Sequence, residues 1–116
     1  MVKIKLKTEG EFDAAHHLKG YDGPCQRVHG HRWRVVVWIE GDEKQLDKIG
    51  ILWDFTKLKQ MLSKYDHYDL NNILICNPTA ENIAILILKN LKVKDPELNF
   101  KVRVYESPKS SCEVQG

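Results

Sequence analysis

The sequence predicts an α+β domain, an antiparallel four-stranded sheet with two helices on one face in the order ββααββ. Three observations carry this expectation. Residues 3–16 alternate in polarity and residues 32–39 are rich in β-branched and aromatic side chains; residues 54–66 and 78–91 place apolar groups three and four apart; residues 100–106 alternate again. No repeat, low-complexity tract or Pro/Gly-rich linker divides the 116 residues, so one domain over 1–116 is expected.

In the first strand Ile4, Leu6, Thr8, Phe12, Ala14 and His16 share one parity, and Lys3, Lys5, Lys7, Glu9, Glu11 and Asp13 the other. That is a strand with one wet face, in which Gly10 is a place for a bulge. Residues 17–28 then read as the connection of an antiparallel hairpin. The second strand places Trp33, Val35, Val37 and Ile39 on one face and Val36 and Trp38 on the other, before Gly41-Asp42 breaks it. One pair of helices covers only one face, so Val36 and Trp38 are expected to form an exposed apolar patch and a subunit interface.

Asp54 is suited to cap a helix bearing Phe55, Leu58, Met61, Leu62 and Tyr65 that ends near Tyr65 or Asp66. Pro78-Thr79 opens a second helix through about Leu91, with Ile83, Ala84, Ile87, Leu88 and Leu91 as its stripe, widened by Ile85 and Leu86. Asp95-Pro96 stops it. Phe100, Val102, Val104 and Glu106 share one face of the third strand, and a short last strand is expected around Cys112 to Gln115.

A hydrophobic content of 42% with 29% charged residues is that of a globular domain, and a net charge of +2 is too small to imply a nucleic-acid partner. The longest apolar run, Ile83 to Leu88, is far short of the ~20 residues of a membrane span, and the alternating N-terminus lacks an apolar targeting core. No membrane partner is expected. The three cysteines, Cys25, Cys76 and Cys112, form no Cys-x-x-Cys motif and cannot all pair internally, which points to free thiols in a reducing, cytoplasmic setting.

The densest chemistry lies in Cys25-Gln26-Arg27-Val28-His29-Gly30-His31. On a strand His29 and His31 project to one side, and a hairpin closed by residues 17–28 sets His16 opposite His29 at ~5 Å, with His31 as diagonal neighbour. A lone histidine is ordinarily a surface or hydrogen-bonded residue. Three imidazoles on one sheet face with a fourth position open match a catalytic zinc site better than a closed structural one. His17 has the opposite parity and is expected to be exposed. Cys25 reads as a small loop hydrophobe, as a fourth ligand closing the site, or as a thiol whose ionised, proton-accepting form a nearby cation favours. Cys76 and Cys112 are expected to be structural or incidental.

Asp66-His67 falls where the first helix ends; the ordinary reading is an Asp in a turn beside an exposed His, and in a loop the two can cooperate. Glu106 reads either as an acid at an exposed strand end or, by its core-facing parity, as an acceptor of two hydrogen bonds from a planar amino-pyrimidine edge. Thr79 most simply caps its helix; a helix start also offers free amides, making Thr79 a candidate substrate contact and Glu81 a weaker one.

Taken together these residues resemble the family of 6-pyruvoyl-tetrahydropterin synthase and 6-carboxy-5,6,7,8-tetrahydropterin synthase, lyases of which the second serves queuosine and archaeosine precursor synthesis. The resemblance runs through nearly the whole chain. It rests on Phe12-Asp13-Ala14-Ala15-His16, Cys25 through His31, Trp53-Asp54-Phe55 with Leu58-Lys59, Asp66-His67 with Leu70-Asn71, Pro78-Thr79-Ala80-Glu81-Asn82, and Glu106. It implies the tunnelling fold, in which subunits extend their sheets into a barrel as trimers or hexamers with active sites between subunits. It further implies Zn2+ on His16, His29 and His31, a proton-transfer group of Cys25, Asp66 and His67, and substrate binding by Glu106 and Thr79. The implied substrate is 7,8-dihydroneopterin triphosphate, with Arg27, Lys19 and Arg32 as candidates for its phosphates.

The three-residue gap between Cys25 and His29 resembles the carboxy-forming branch, the pyruvoyl-forming enzymes more often having an insertion there. Gln26, Arg27 and Val28 supply no acid of the kind used by a hydroxymethyl-forming branch. Ser107-Pro108-Lys109-Ser110-Ser111 departs from the pattern expected after the glutamate. The competing readings are a pyruvoyl-forming synthase, a non-catalytic zinc-binding assembly domain, and an aldolase acting on dihydroneopterin.

Overall fold

The computed structural model describes residues 1–116. The elements are β1 (Lys3–His16), β2 (His29–Asp42), α1 (Thr56–Leu62), α2 (Leu70–Ile73), α3 (Ala80–Lys94), β3 (Asn99–Ser107) and β4 (Ser110–Gln115), with 3-10 turns at Pro24–Gln26 and Glu43–Gln45. The strands form one antiparallel sheet in the order β1-β2-β3-β4, with the helices on one face. The expected α+β architecture is borne out, with one addition: α2, a single turn capped by Asp69, whose side chain accepts from the Asn71 N–H.

β1 and β2 pair without a bulge from Lys3↔Asp42 to His16↔His29. Gly10 serves another purpose: a Cβ there would lie 2.9 Å from Leu62 Cδ1, so its missing side chain lets α1 approach the sheet. The core comprises Phe12, Trp33, Val35, Val37 and Ile39 from the hairpin, Leu58, Met61 and Leu62 from α1, Ile83, Ala84, Ile87 and Leu91 from α3, and Phe100, Val102 and Val104 from β3. Cys112 packs against it from β4.

α1 is shorter than its apolar spacing suggests. It ends at Leu62, and the chain turns so that the Asp66 carboxylate accepts the Asp13 N–H at 2.9 Å while the His67 N–H donates to the Asp13 carbonyl at 2.6 Å. The exposed edge of β1 at that point has an unpaired donor and acceptor, and this turn satisfies both. At the other end Asp54 Oδ1 accepts from the Thr56 N–H at 2.9 Å and its hydroxyl at 2.8 Å, the expected capping role.

The outer face of the sheet differs from expectation. Val36 is 3% exposed, and Trp38 is half-buried with Lys101 Nζ 4.5 Å from its ring centre. Arg34 stacks 4.0 Å over Tyr105. Aliphatic stems and ion pairs such as Arg34–Glu9 (3.6 Å) and Arg103–Glu113 (3.0 Å) cover what sequence alone reads as an apolar patch. No helix is long and apolar enough to cross a membrane.

Candidate metal centre and catalytic site

The regular pairing of the hairpin positions the histidines. His16 stands opposite His29, and His31 opposite Ala14, two rungs inward on the same face. The ring centres of His16 and His29 are 4.5 Å apart, those of His29 and His31 4.7 Å, and those of His16 and His31 5.1 Å. Trp33, next on the same parity, forms the floor, meeting His16 edge-on at 4.9 Å and His31 at 5.6 Å, with its Nε1–H donated to the Ala14 carbonyl.

Hydrogen bonds set the tautomers of two rings. His16 Nδ1 lies 2.7 Å from the Pro78 carbonyl and His29 Nδ1 2.7 Å from the Arg27 carbonyl. A carbonyl only accepts, so each Nδ1 carries the proton and each Nε2 presents a lone pair, the arrangement of metal-ligating imidazoles. The Nε2 atoms of His16 and His31 are buried without a hydrogen-bond partner. Burial lowers the pKa of both rings against the opposing pull of Glu106, favouring the neutral, ligating form.

The fourth group at the centre is Glu106. Its Oε1 lies 3.0 Å from His31 Nε2 and 3.8 Å from His16 Nε2, without hydrogen-bond alignment to either. Ligand atoms of His16, His29, His31 and Glu106 all fall within 4.8 Å of one another. Glu106 continues the core-facing parity of Phe100, Val102 and Val104, and it sits where the pairing of β3 with β4 slips between Tyr105 and Ser107, giving β3 one extra residue. Orphaned buried lone pairs and an all-imidazole, carboxylate-flanked donor set fit a divalent metal such as zinc.

Cys25 stands apart from this cluster. It occupies the 3-10 turn Pro24–Gln26, half-buried, and its carbonyl accepts the Leu18 N–H at 2.8 Å. Closure of the ligand set by Cys25 finds no support in this arrangement, where the group beside the three imidazoles is the Glu106 carboxylate. Asp66 and His67 form a real pair: His67 Nδ1 lies 2.8 Å from Asp66 Oδ2. They face one another because His67 adopts a left-handed φ of 64° beyond the end of α1. The Asp13 amide, followed by His67, holds the Asp66 carboxyl below its ordinary pKa. The His67 ring is 79% exposed, and an open cleft of about 530 Å³ joins it to His31 past Asp13 and Tyr68.

Thr79 caps α3, its hydroxyl accepting the Asn82 N–H at 3.0 Å. His17 is not the exposed residue its parity suggests: it is half-buried, and Asn71 holds its backbone. Sequence reasoning missed the Pro78 and Arg27 carbonyls that orient His16 and His29. Pro78 precedes the cap residue of α3, and that position was the only local hint.

A model of the family described as 6-pyruvoyl tetrahydropterin synthase matches residues 5–116. The chain belongs to this family. It is 36% identical to a 6-carboxy-5,6,7,8-tetrahydropterin synthase of Haemophilus influenzae, an alignment covering 97% of this chain and 99% of that protein. It is 34% identical to a dihydroneopterin monophosphate aldolase of Pyrococcus furiosus over 82% of this chain and 81% of the other. Among solved structures, the 6-pyruvoyl tetrahydropterin synthase of Caenorhabditis elegans superposes with a TM-score of 0.79 at 27% identity, covering 100% of this chain and 97% of that one. The tetrahydropterin synthases of this family are lyases, and the sheet-and-helix layout described above is theirs, the tunnelling fold.

Proposed function

We propose that the chain is a zinc-dependent 6-carboxy-5,6,7,8-tetrahydropterin synthase. It would convert 7,8-dihydroneopterin triphosphate and water to 6-carboxytetrahydropterin, acetaldehyde and triphosphate, a step toward 7-deazapurines. The observation that carries this is the convergence of His16, His29 and His31, two of them tautomerically fixed to offer Nε2, beside the carboxylate of Glu106. The short Cys25–His29 spacer and the carboxy-forming relative support the branch.

His16, His29 and His31 would hold the zinc ion, which would supply Lewis-acid polarisation of the substrate's side-chain oxygens. In this reading Glu106 accepts the paired N–H groups of the amino-pyrimidine edge. Because Glu106 Oε1 lies 3.0 Å from His31 Nε2, a ring held by Glu106 would stand beside the imidazoles. Cys25 takes and returns a proton on one side of that chain. His67, held by Asp66, exchanges a proton on the other, while Thr79, at the start of α3, contacts the substrate. The exposed His67 ring leaves the Asp66–His67 pair free to serve a Cys25 from a neighbouring subunit, in a homo-oligomer whose active sites lie between chains.

A second reading is favoured by one observation, the dihydroneopterin monophosphate aldolase of Pyrococcus furiosus: cleavage of the side chain of a dihydroneopterin monophosphate. The test is anaerobic incubation of the zinc-loaded protein with 7,8-dihydroneopterin triphosphate, followed by mass analysis. Acetaldehyde with 6-carboxytetrahydropterin is the expected result. A pyruvoyl product alone moves the chain to the other branch, a hydroxymethyl product from dihydroneopterin monophosphate offered in parallel moves it to the aldolases, and failure to consume either substrate overturns the enzymatic reading.

A further inference from the structure

Residues 17–28 link β1 to β2 with no regular structure beyond the turn Pro24–Gln26. Two asparagine side chains from outside the segment grip its first residues. Asn71 Oδ1 accepts the His17 N–H at 2.8 Å, and Asn71 Nδ2 donates to the His17 carbonyl at 3.0 Å. Asn77 repeats the pattern on Lys19, accepting its N–H at 3.0 Å and donating to its carbonyl at 3.1 Å. A primary amide presents an acceptor and donors side by side, as a peptide unit does. Gripping residues i and i+2, the two side chains stand in for the neighbouring strand that β1 lacks beyond His16.

Leu18 lies between the gripped residues, and its N–H donates to the Cys25 carbonyl at 2.8 Å. The residue locked on both sides is thus the one that closes the loop onto Cys25. The asparagines are themselves fixed. The Asn71 N–H donates to Asp69 Oδ1 at 3.1 Å, and the Asn77 carbonyl accepts from Asn82 Nδ2 at 2.9 Å and the Thr79 N–H at 2.8 Å. Between Asn77 and Thr79 is Pro78, whose carbonyl orients His16. One segment therefore holds both the metal-centre histidine and the loop that carries the thiol.

We infer that Asn71 and Asn77 are positioning residues that set the Cys25 thiol relative to the three-imidazole centre. The inference rests on the proposed role of Cys25 as the proton-transferring thiol, a role in which a displacement of ~1 Å costs roughly 10²-fold in rate.

The test compares Asn77→Ala, Asn71→Ala and the half-clamp Asn77→Asp, which keeps the acceptor for Lys19 N–H and loses the donor. Amide hydrogen exchange of residues 17–27, zinc content, kcat and KM are measured on each full-length protein. Exchange at Leu18 and through the loop should rise roughly tenfold in Asn77→Ala, with β1, β2 and α3 unchanged and Asn77→Asp in between. With zinc content and KM held, kcat should fall roughly 10- to 100-fold. Unchanged loop exchange in Asn77→Ala overturns the inference, as does a fall in kcat matched by zinc loss or by faster exchange throughout the sheet. Should Asn71→Ala fail to fold, the solvent-exposed Asn77 bonds still decide between these outcomes. If the wild type turns over no substrate, the proposed reaction fails while the exchange measurement still decides whether the clamp exists.

Discussion

His16 shows how a single side chain becomes a candidate ligand. Its parity places it on the core face, its rung places it opposite His29, and the Pro78 carbonyl then fixes which nitrogen is free. The first two facts were legible in the alternation of residues 4–16; the third was not, because the partner lies 62 residues away. Glu106 divides two roles that sequence cannot separate, metal ligand and ring anchor. Glu106→Gln keeps the shape and removes the charge; as an anchor it should retain zinc and raise KM by about tenfold or more, whereas loss of zinc would assign it to the metal. Asp66 carries a pH dependence of definite sign. Its folded pKa lies below the ordinary value, so the stability it contributes is present above about pH 4 and is lost as pH falls through the folded value. The stability difference between wild type and Asp66→Asn, followed by urea unfolding, should therefore shrink on acidification below about pH 4 and hold steady from there to neutrality.

Among the elements, β1 and α3 were readable from a long period, over fourteen and fifteen residues, and β2 from its run of β-branched and aromatic side chains. The helical period of α3 also grades its positions. Ile87 is fully buried and Ile85 is 38% exposed, so Ile87→Ala should cost about 2–5 kcal/mol in urea unfolding and Ile85→Ala less than about 0.5. Where tertiary demands override local pattern, the reading failed. α1 gives up its last turn so that Asp66 and His67 satisfy the edge of β1 at Asp13. The face of Glu106 was legible in the alternation of β3, but the slip beside it depends on the register of β3 against β4, which no local spacing encodes. α2 is four residues long, too short for any periodicity to report.

The whole molecule is drawn out, 52 × 25 × 22 Å, with a radius of gyration of 15.5 Å against about 13 Å for a compact chain of this length. The expected apolar patch at Val36 and Trp38 misled, because lysine and arginine stems cover sheet surface that a residue-by-residue reading counts as bare. The proposed shared site makes a sharper assembly prediction than a patch does. Co-refolded Cys25→Ala and His67→Ala chains, each inactive alone, should recover turnover if the thiol and the imidazole of one site come from different subunits; no recovery in a verified mixed oligomer would place both in one chain. The claim on which the rest depends is that the histidine centre and Cys25 do separate work, binding and proton transfer. It is tested most directly by product formed per bound zinc in Cys25→Ala against wild type. Wild-type zinc content is expected, with that ratio lowered at least about 100-fold. An unchanged ratio, or a loss of product accounted for by loss of zinc, would contradict it.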